Sequence, residues 1–343
     1  MKAAILQDSN KLEIREIPVP VCPVGGVLVR VKACGICSAD TNMVKKGHPA
    51  LIYPRIPGHE IAGFITKSRS KTYKKGDRVQ VAPGLRCGRC VQCRMGADNR
   101  CEKREILGFT SDGGFAQYIA VPLKGQLAGS LTLLPENVSY KSATLAEPVA
   151  CCLNAQNKVG IQKKDTVLII GSGPLGLLHS VVAKHKGAEM VFIAEINANR
   201  RNTAVQFYVD RVFDPKNDNL FQAVMDATYG KGADVIIFAC SHAGLDEVSI
   251  KMLAPGGRVS VFSGMPLHFS GIQIDSNLIH YNEISITGAY GCTADQNSEA
   301  IRLISSGKFP VETLITKSVS LDNIKEGLEY TDSKKGLKSI MEV

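Results

Sequence analysis

The segment Thr166-Val167-Leu168-Ile169-Ile170, followed at once by Gly171-Ser172-Gly173-Pro174-Leu175-Gly176, constrains the fold more than any other part of this chain. A fully apolar run of this length suits a strand buried on both faces, the habit of parallel sheets. The glycines then turn the chain into a helix that reads through to about His185. Gly171 permits the tight turn, Gly173 lets a pyrophosphate approach the backbone, and Gly176 allows close packing of helix on strand. Strands of the same kind read at 190–195, 234–239, 258–262 and 284–287, with helical stretches between them. That alternation predicts an α/β fold with a doubly wound parallel sheet. Glu195 ends the second of these strands, where an acid accepts hydrogen bonds from the adenosine ribose hydroxyls. A carboxylate there repels a 2′-phosphate, which favours NAD(H) over NADP(H). Arg200 and Arg201 lie close enough to soften the preference.

At 343 residues the chain is long for one core, so two domains are expected. The first 120 residues read as short strands broken by Gly and Pro, at 27–33, 76–81 and 114–122, an all-β, barrel-like region with functional loops. A mostly helical stretch opens at Lys141 and runs through Val159. After Gly288 the chain leaves the parallel sheet. A helix near Ser298–Ser306 and a last strand at Lys338–Val343 return to the first region. A hydrophobic content of 44% and a charged content of 21% are those of a soluble globular protein. No apolar run suits a membrane span, and the N-terminus does not read as an export signal, so the expectation is a cytoplasmic protein with no membrane partner. The net charge of +9 is spread over scattered Lys and Arg. An anionic cofactor accommodates some of it, and no nucleic-acid partner is expected.

Eleven cysteines without an export signal argue against a disulfide framework. The run Cys87-x2-Cys90-x2-Cys93-x7-Cys101 offers four thiolates on a polar loop that cannot bury itself. Four sulfurs close a tetrahedral zinc site and leave no position for substrate, so this site reads as structural. The other cysteines sit mostly in apolar surroundings and read as small core residues.

A second metal site is argued from dispersed residues. Cys37 lies just past a strand, and Gly58-His59-Glu60 follows a Pro-Gly turn. One thiolate, one imidazole and one carboxylate make three ligands, with a fourth position open. Glu147, in Leu145-Ala146-Glu147-Pro148, is a carboxylate in an apolar stretch. It reads either as part of this site or as a charge satisfying a helix N-terminus.

Together, Cys34-Gly35-Ile36-Cys37, Gly58-His59-Glu60, the four-cysteine lobe, Asp112-Gly113-Gly114-Phe115-Ala116 and the 171–176 loop resemble the zinc-containing medium-chain dehydrogenase/reductase family over essentially the whole chain. Within it, the Glu147-Pro148 pair resembles the polyol (sorbitol-type), galactitol-phosphate and threonine dehydrogenase branch. The resemblance implies a GroES-like β-barrel catalytic domain at 1–152 and 290–343, interrupted by a Rossmann NAD-binding domain at 153–289. It implies Cys37 and His59 as zinc ligands and Glu60 or Glu147 as the third, exchanging during turnover. Asp40 would orient His59 from behind. Two departures stand out. Ala39 occupies the position of the family's proton-relaying Ser or Thr, leaving Ser38 and Thr41 on either side as relay candidates. Tyr290-Gly291 replaces the Arg-Tyr pair of the sorbitol-type enzymes.

The expectation is an enzyme with one catalytic and one structural zinc that interconverts a secondary alcohol and a ketone with NAD(H), as a homodimer or homotetramer. The substrate class is a polyol, sugar alcohol or sugar phosphate. The alternatives are a threonine-type amino alcohol dehydrogenase and a non-catalytic NAD-binding redox sensor. A zinc-free quinone reductase would lack the cysteine lobe and the His59-Glu60 pair.

Overall fold

In a computed structural model, which describes residues 1–241, 244–264, 273–309 and 311–343, the chain forms two units. One comprises Met1–Ala150 with Cys292–Val343, the other Cys151–Gly291.

The second unit is built on a six-stranded, all-parallel sheet. Its order is Arg211–Phe213, Met190–Ala194, Thr166–Ile170, Ala233–Phe238, Leu253–Val261, Ser285–Gly288. Leu168 lies between Phe192 and Ile236, and all three are fully buried. Burial on both faces explains why these strands are continuous apolar runs in the sequence. The strand order reverses beside Thr166–Ile170, so the 171–176 loop emerges at the switch point, where open α/β sheets hold their ligands. Helix Pro174–His185 starts from that loop with Pro174 in its first turn and no side-chain cap, which leaves its first N–H groups available to an anion. A Cβ on Gly176 would stand 2.0 Å from the carbonyl oxygen of Gly171, so only glycine admits this approach.

The same helix carries a buried titratable group that the sequence pattern hides. His179 has no exposed surface, its Nδ1 lies 3.2 Å from Gln156 Nε2, and its ring meets Phe262 edge-on at 4.5 Å. Burial pushes its pKa down to about 3. The folded protein therefore keeps His179 neutral, while the unfolded chain protonates it below pH about 6.5. The stabilisation is complete above that value and is lost as pH falls, by about 3 kcal/mol at pH 4. Urea unfolding across this range should show a shallower decline for His179→Gln than for the wild-type chain. Equal slopes would remove His179 as the cause.

The first unit holds a seven-stranded sheet, with Ile315–Ser320, Lys338–Glu342, Val27–Ile36, Glu60–Ser68, Arg78–Val81 and Leu131–Leu133 in sequence across it. Tyr118–Val121 also pairs with Val27–Ile36, and Lys2–Asp8 forms a hairpin with Lys11–Glu16. The core collects Leu6, Val29, Ile36, Ile61, Ile65 and Phe115, all buried. The region is not purely β. A nine-residue helix, Ser38–Lys46, follows directly on Val27–Ile36, because Cys37 and Asp40 form a capping box at its start. The strand read at 114–122 begins only at Tyr118. The Gly114 and Phe115 N–H groups instead donate to the carbonyls of Gly58 and Pro57, at 2.8 and 3.0 Å. The helical stretch breaks at Leu145 into Tyr140–Thr144 and Ala146–Val159. No helix among the described residues is long and apolar enough to cross a membrane.

Candidate active site and metal centres

Three donors from two stretches of the first unit converge. The Sγ of Cys37, a ring nitrogen of His59 and a carboxylate oxygen of Glu60 all lie within 4.8 Å of one another. Backbone pairing brings them together, since Glu60 opens the strand antiparallel to Val27–Ile36 and stands opposite Gly35. A Cβ at position 35 would lie 1.8 Å from Glu60 Oε2, so the glycine leaves room for the carboxylate.

Asp40 organises the group. It is completely buried; the N–H of Cys37 donates to its Oδ2 at 2.9 Å, and its Oδ1 lies 3.1 Å from His59 Nδ1. An Nδ1–H donated to Asp40 fixes the tautomer and leaves the Nε2 lone pair for a metal. Burial opposes charge on His59, but Asp40, with Cys37, outweighs it and holds the imidazole well above its usual range. Cys37 caps helix Ser38–Lys46, its Sγ 3.5 Å from the N–H of Ala39.

The sequence reading missed Lys338. Its Nζ donates to Glu60 Oε1 at 2.6 Å, with side-chain exposures of 7% and 1%. Burial opposes the ammonium charge, yet Glu60, Cys37 and Asp40 raise its pKa above the usual lysine range. Burial pushes Glu60 upward, against Lys338 and His59, which pull it down. The short contact makes this an ion pair. Glu60 Oε2 is left buried without a hydrogen-bond partner. A soft thiolate, an imidazole and an orphaned carboxylate oxygen fit a zinc ion.

Glu147 stands apart from the three. It lies half-buried in the first turn of helix Ala146–Val159 and within 4.8 Å of Cys292 Sγ, and its charge acts on Glu60. Of the relay candidates, Ser38 is exposed, and the buried Thr41 donates its hydroxyl to the Ser38 carbonyl at 2.9 Å. Phe109 packs over His59 with ring centroids 5.4 Å apart.

The second cluster is the run read in the sequence. The sulfurs of Cys87, Cys90, Cys93 and Cys101 all lie within 4.8 Å of one another. The N–H groups of Arg89 and Cys90 hold Cys87 down at about 6. Burial, with the thiols of Cys90 and Cys101, pushes Cys93 up to about 12. Four thiols this close, with Cys87 and Cys90 both inclined to ionise, fit a closed tetrahedral zinc site. Asp98 anchors this lobe, receiving the N–H of Ala294 at 3.2 Å and Arg86 at 2.9 Å.

In the second unit, Glu195 is buried against the glycine loop. Its Oε2 accepts from the N–H and hydroxyl of Ser172, at 2.8 and 3.1 Å, and its Oε1 accepts from the N–H of Asn197 at 2.8 Å. Arg201 is committed to Asp214 at 2.7 Å and to the Glu195 carbonyl at 3.0 Å. Arg200 lies nearer the loop, its guanidinium 3.6 Å from where a Gly173 Cβ would stand.

Residues 23–129 match the alcohol dehydrogenase GroES-like domain, and residues 174–306 match the zinc-binding dehydrogenase domain. L-threonine 3-dehydrogenase of Pyrococcus furiosus is 32% identical over 325 residues, covering 92% of this chain and 91% of that protein. The chain belongs to the zinc-type medium-chain dehydrogenase/reductase superfamily. It is an NAD(H)-linked oxidoreductase of that superfamily acting on a small-molecule alcohol or ketone. Among other superfamily members, sorbitol dehydrogenase of Bacillus subtilis is 29% identical over 96% of this chain and 93% of that protein. The structure of a Sinorhizobium meliloti protein bound to NADP superposes with a TM-score of 0.90 at 26% identity, covering 100% of this chain and 99% of that one.

Proposed function

We propose that the protein is a zinc-dependent dehydrogenase that interconverts a secondary alcohol and a ketone, with NAD(H) preferred over NADP(H). The observation that carries the reading is the convergence of Cys37, His59 and Glu60, with Asp40 fixing the imidazole and Lys338 holding the carboxylate. When bound, zinc supplies the Lewis acid that polarises the substrate oxygen, and the nicotinamide supplies the hydride chemistry.

The chain's own residues do the rest. Asp40 keeps the His59 Nε2 lone pair directed to the metal site. The first turn of helix Ser38–Lys46 fixes the position of the Cys37 sulfur through the Ala39 N–H. Lys338 neutralises Glu60 from one side and leaves Oε2 without a partner, which supports Glu60 over Glu147 as the third ligand. Glu147 adds negative charge near the site without joining the three donors. A proton leaving the substrate has no hydroxyl at Ala39. Ser38, exposed at the helix start, is better placed to relay it than Thr41, whose hydroxyl is bonded to the backbone.

Glu195 supports the cofactor preference. Its carboxylate borders the glycine loop, where a 2′-phosphate would meet a like charge. The NADP-bound relative makes this a real choice, with Arg200 as the residue able to reverse it. For the substrate, a polyol, sugar alcohol or sugar phosphate follows from the Glu147-Pro148 pair and the sorbitol dehydrogenase relative. The threonine dehydrogenase relative supports an amino alcohol as the second reading. The structural cluster is read as a second zinc site, and the enzyme as a homodimer or homotetramer.

One experiment tests the reading: elemental analysis of the purified protein, joined to initial rates of NAD and NADP reduction with polyols, their phosphates and threonine. The expected result is two zinc ions per chain, of which mild chelation removes only the catalytic one, and a higher kcat/KM with NAD than with NADP. Protein with a full metal complement that turns over no alcohol would sink the enzymatic reading in favour of a redox sensor. Equal use of both cofactors would transfer control from Glu195 to Arg200.

A further inference from the structure

Five of the chain's 41 Lys and Arg residues gather on one turn. Lys67, Arg69, Lys71, Lys74 and Lys75 fall within nine residues, where strand Glu60–Ser68 turns toward Arg78–Val81, and all five are exposed. Among the described residues none of the five side chains enters an ion pair. The acid nearest in sequence is Asp77, which receives the Lys74 N–H at 2.8 Å.

Exposed apolar residues adjoin these cations. The N–H of Arg69 donates to the Gly26 carbonyl at 2.9 Å, and Cys22 Sγ lies 3.6 Å from the Lys67 carbonyl. This seats the segment 18–26 beside the turn, with an open depression of about 730 Å³ bounded by Cys22 and by residues 66–70 and 73–75. That segment shows Val21 and Val24 to solvent, 84% and 76% exposed. The Gln126 side chain donates to the Gly25 carbonyl at 2.9 Å, and its short helix, Leu123–Leu127, exposes 77% of Leu127. Single exposed aliphatics are ordinary, but three of them on segments linked through Gly25 and Gly26 to a turn with five exposed cations are not.

A bilayer interface accepts both parts of this surface. Aliphatic side chains enter the acyl boundary while lysines and arginines meet anionic headgroups. A single-stranded nucleic acid would want exposed aromatic rings on which to stack, and a duplex held through its phosphates would make no use of the exposed aliphatic side chains. The aromatic in the turn, Tyr73, is half-buried and donates its hydroxyl to the Leu131 carbonyl at 2.7 Å. We propose that this face of the first unit docks peripherally on an anionic membrane, with Val21, Val24 and Leu127 entering the interface and the 67–75 cations facing the headgroups.

Sedimentation of the full chain with phosphatidylcholine vesicles, with and without phosphatidylserine, tests this. Binding should require phosphatidylserine and weaken as salt rises. Each cation near the surface is worth about fivefold in partitioning, so the triple change Lys71→Glu, Lys74→Glu, Lys75→Glu should reduce it by about a hundredfold or more. The pair Val21→Asp, Val24→Asp should reduce it as well, with unfolding midpoints unchanged in both variants. Wild-type protein left in the supernatant would overturn the proposal. So would equal binding to neutral vesicles or wild-type behaviour of either variant. Binding to a DNA duplex that ignores Val21 and Val24 would overturn it in favour of a nucleic-acid surface.

Discussion

Replacing Lys338 with methionine is expected to lower stability by about 3–5 kcal/mol at neutral pH, because it leaves the Glu60 carboxylate buried without its counter-ion. Glu60 has one oxygen on Lys338 at 2.6 Å and the other without a partner, and both residues are almost wholly shielded from water. The loss belongs to the orphaned charge rather than to the missing contact. The double variant Lys338→Met, Glu60→Gln should therefore recover most of it, while Lys338→Arg should retain most of it. Urea unfolding of the three variants forms the measurement. If the double variant is no more stable than Lys338→Met alone, the ion pair is not what the lysine supplies. Activity should fall as well, since a carboxylate released from Lys338 no longer holds one oxygen away from the metal side.

That lysine shows what a sequence can and cannot reveal. Cys37, His59, Glu60 and the four lobe cysteines were legible because local spacing or residue type carries their chemistry. The glycine loop and its buried strand were legible for the same reason, since backbone geometry at Gly171 and Gly176 is a local demand. Lys338 lies 278 residues from Glu60 and reaches it only because strand Lys338–Glu342 pairs with Val27–Ile36. The last strand was readable, but its register was not, so nothing marked this lysine among the chain's many cations. The helix at Ser38–Lys46 was hidden because a cysteine is a poor advertisement for an N-cap, though Asp40 three residues on is the other half of a capping box. The basic face escaped because Lys and Arg read as scattered along the chain, and Lys67, Arg69, Lys71, Lys74 and Lys75 are interrupted by neutral residues. Its apolar half comes from the 18–26 segment and from Leu127, distant in sequence and joined only by contacts at Gly25 and Gly26.

Glu147→Gln is expected to reduce turnover by about 10–100-fold, the usual cost of disturbing a group that tunes a metal site without ligating it. The substitution keeps the size, exchanges one acceptor oxygen for an amide donor, and removes a negative charge that acts on Glu60 and lies close to Cys292. With that charge gone, Glu60 ionises more readily and the site as a whole becomes less negative. The limb of the pH–rate profile that reports substrate ionisation should then move to lower pH, a shift that a purely structural role for Glu147 would not produce. Stability should change little. Glu147 lies in the first turn of helix Ala146–Val159, and losing its interaction with the helix dipole costs only about 0.3–1 kcal/mol. Steady-state rates across pH, set beside an unfolding midpoint for the same variant, separate the two roles. Turnover near wild type with that small stability loss would make Glu147 a helix-start charge and no more. The polyol reading would then lose the residue pair on which it leans, and the amino alcohol reading would stand level with it.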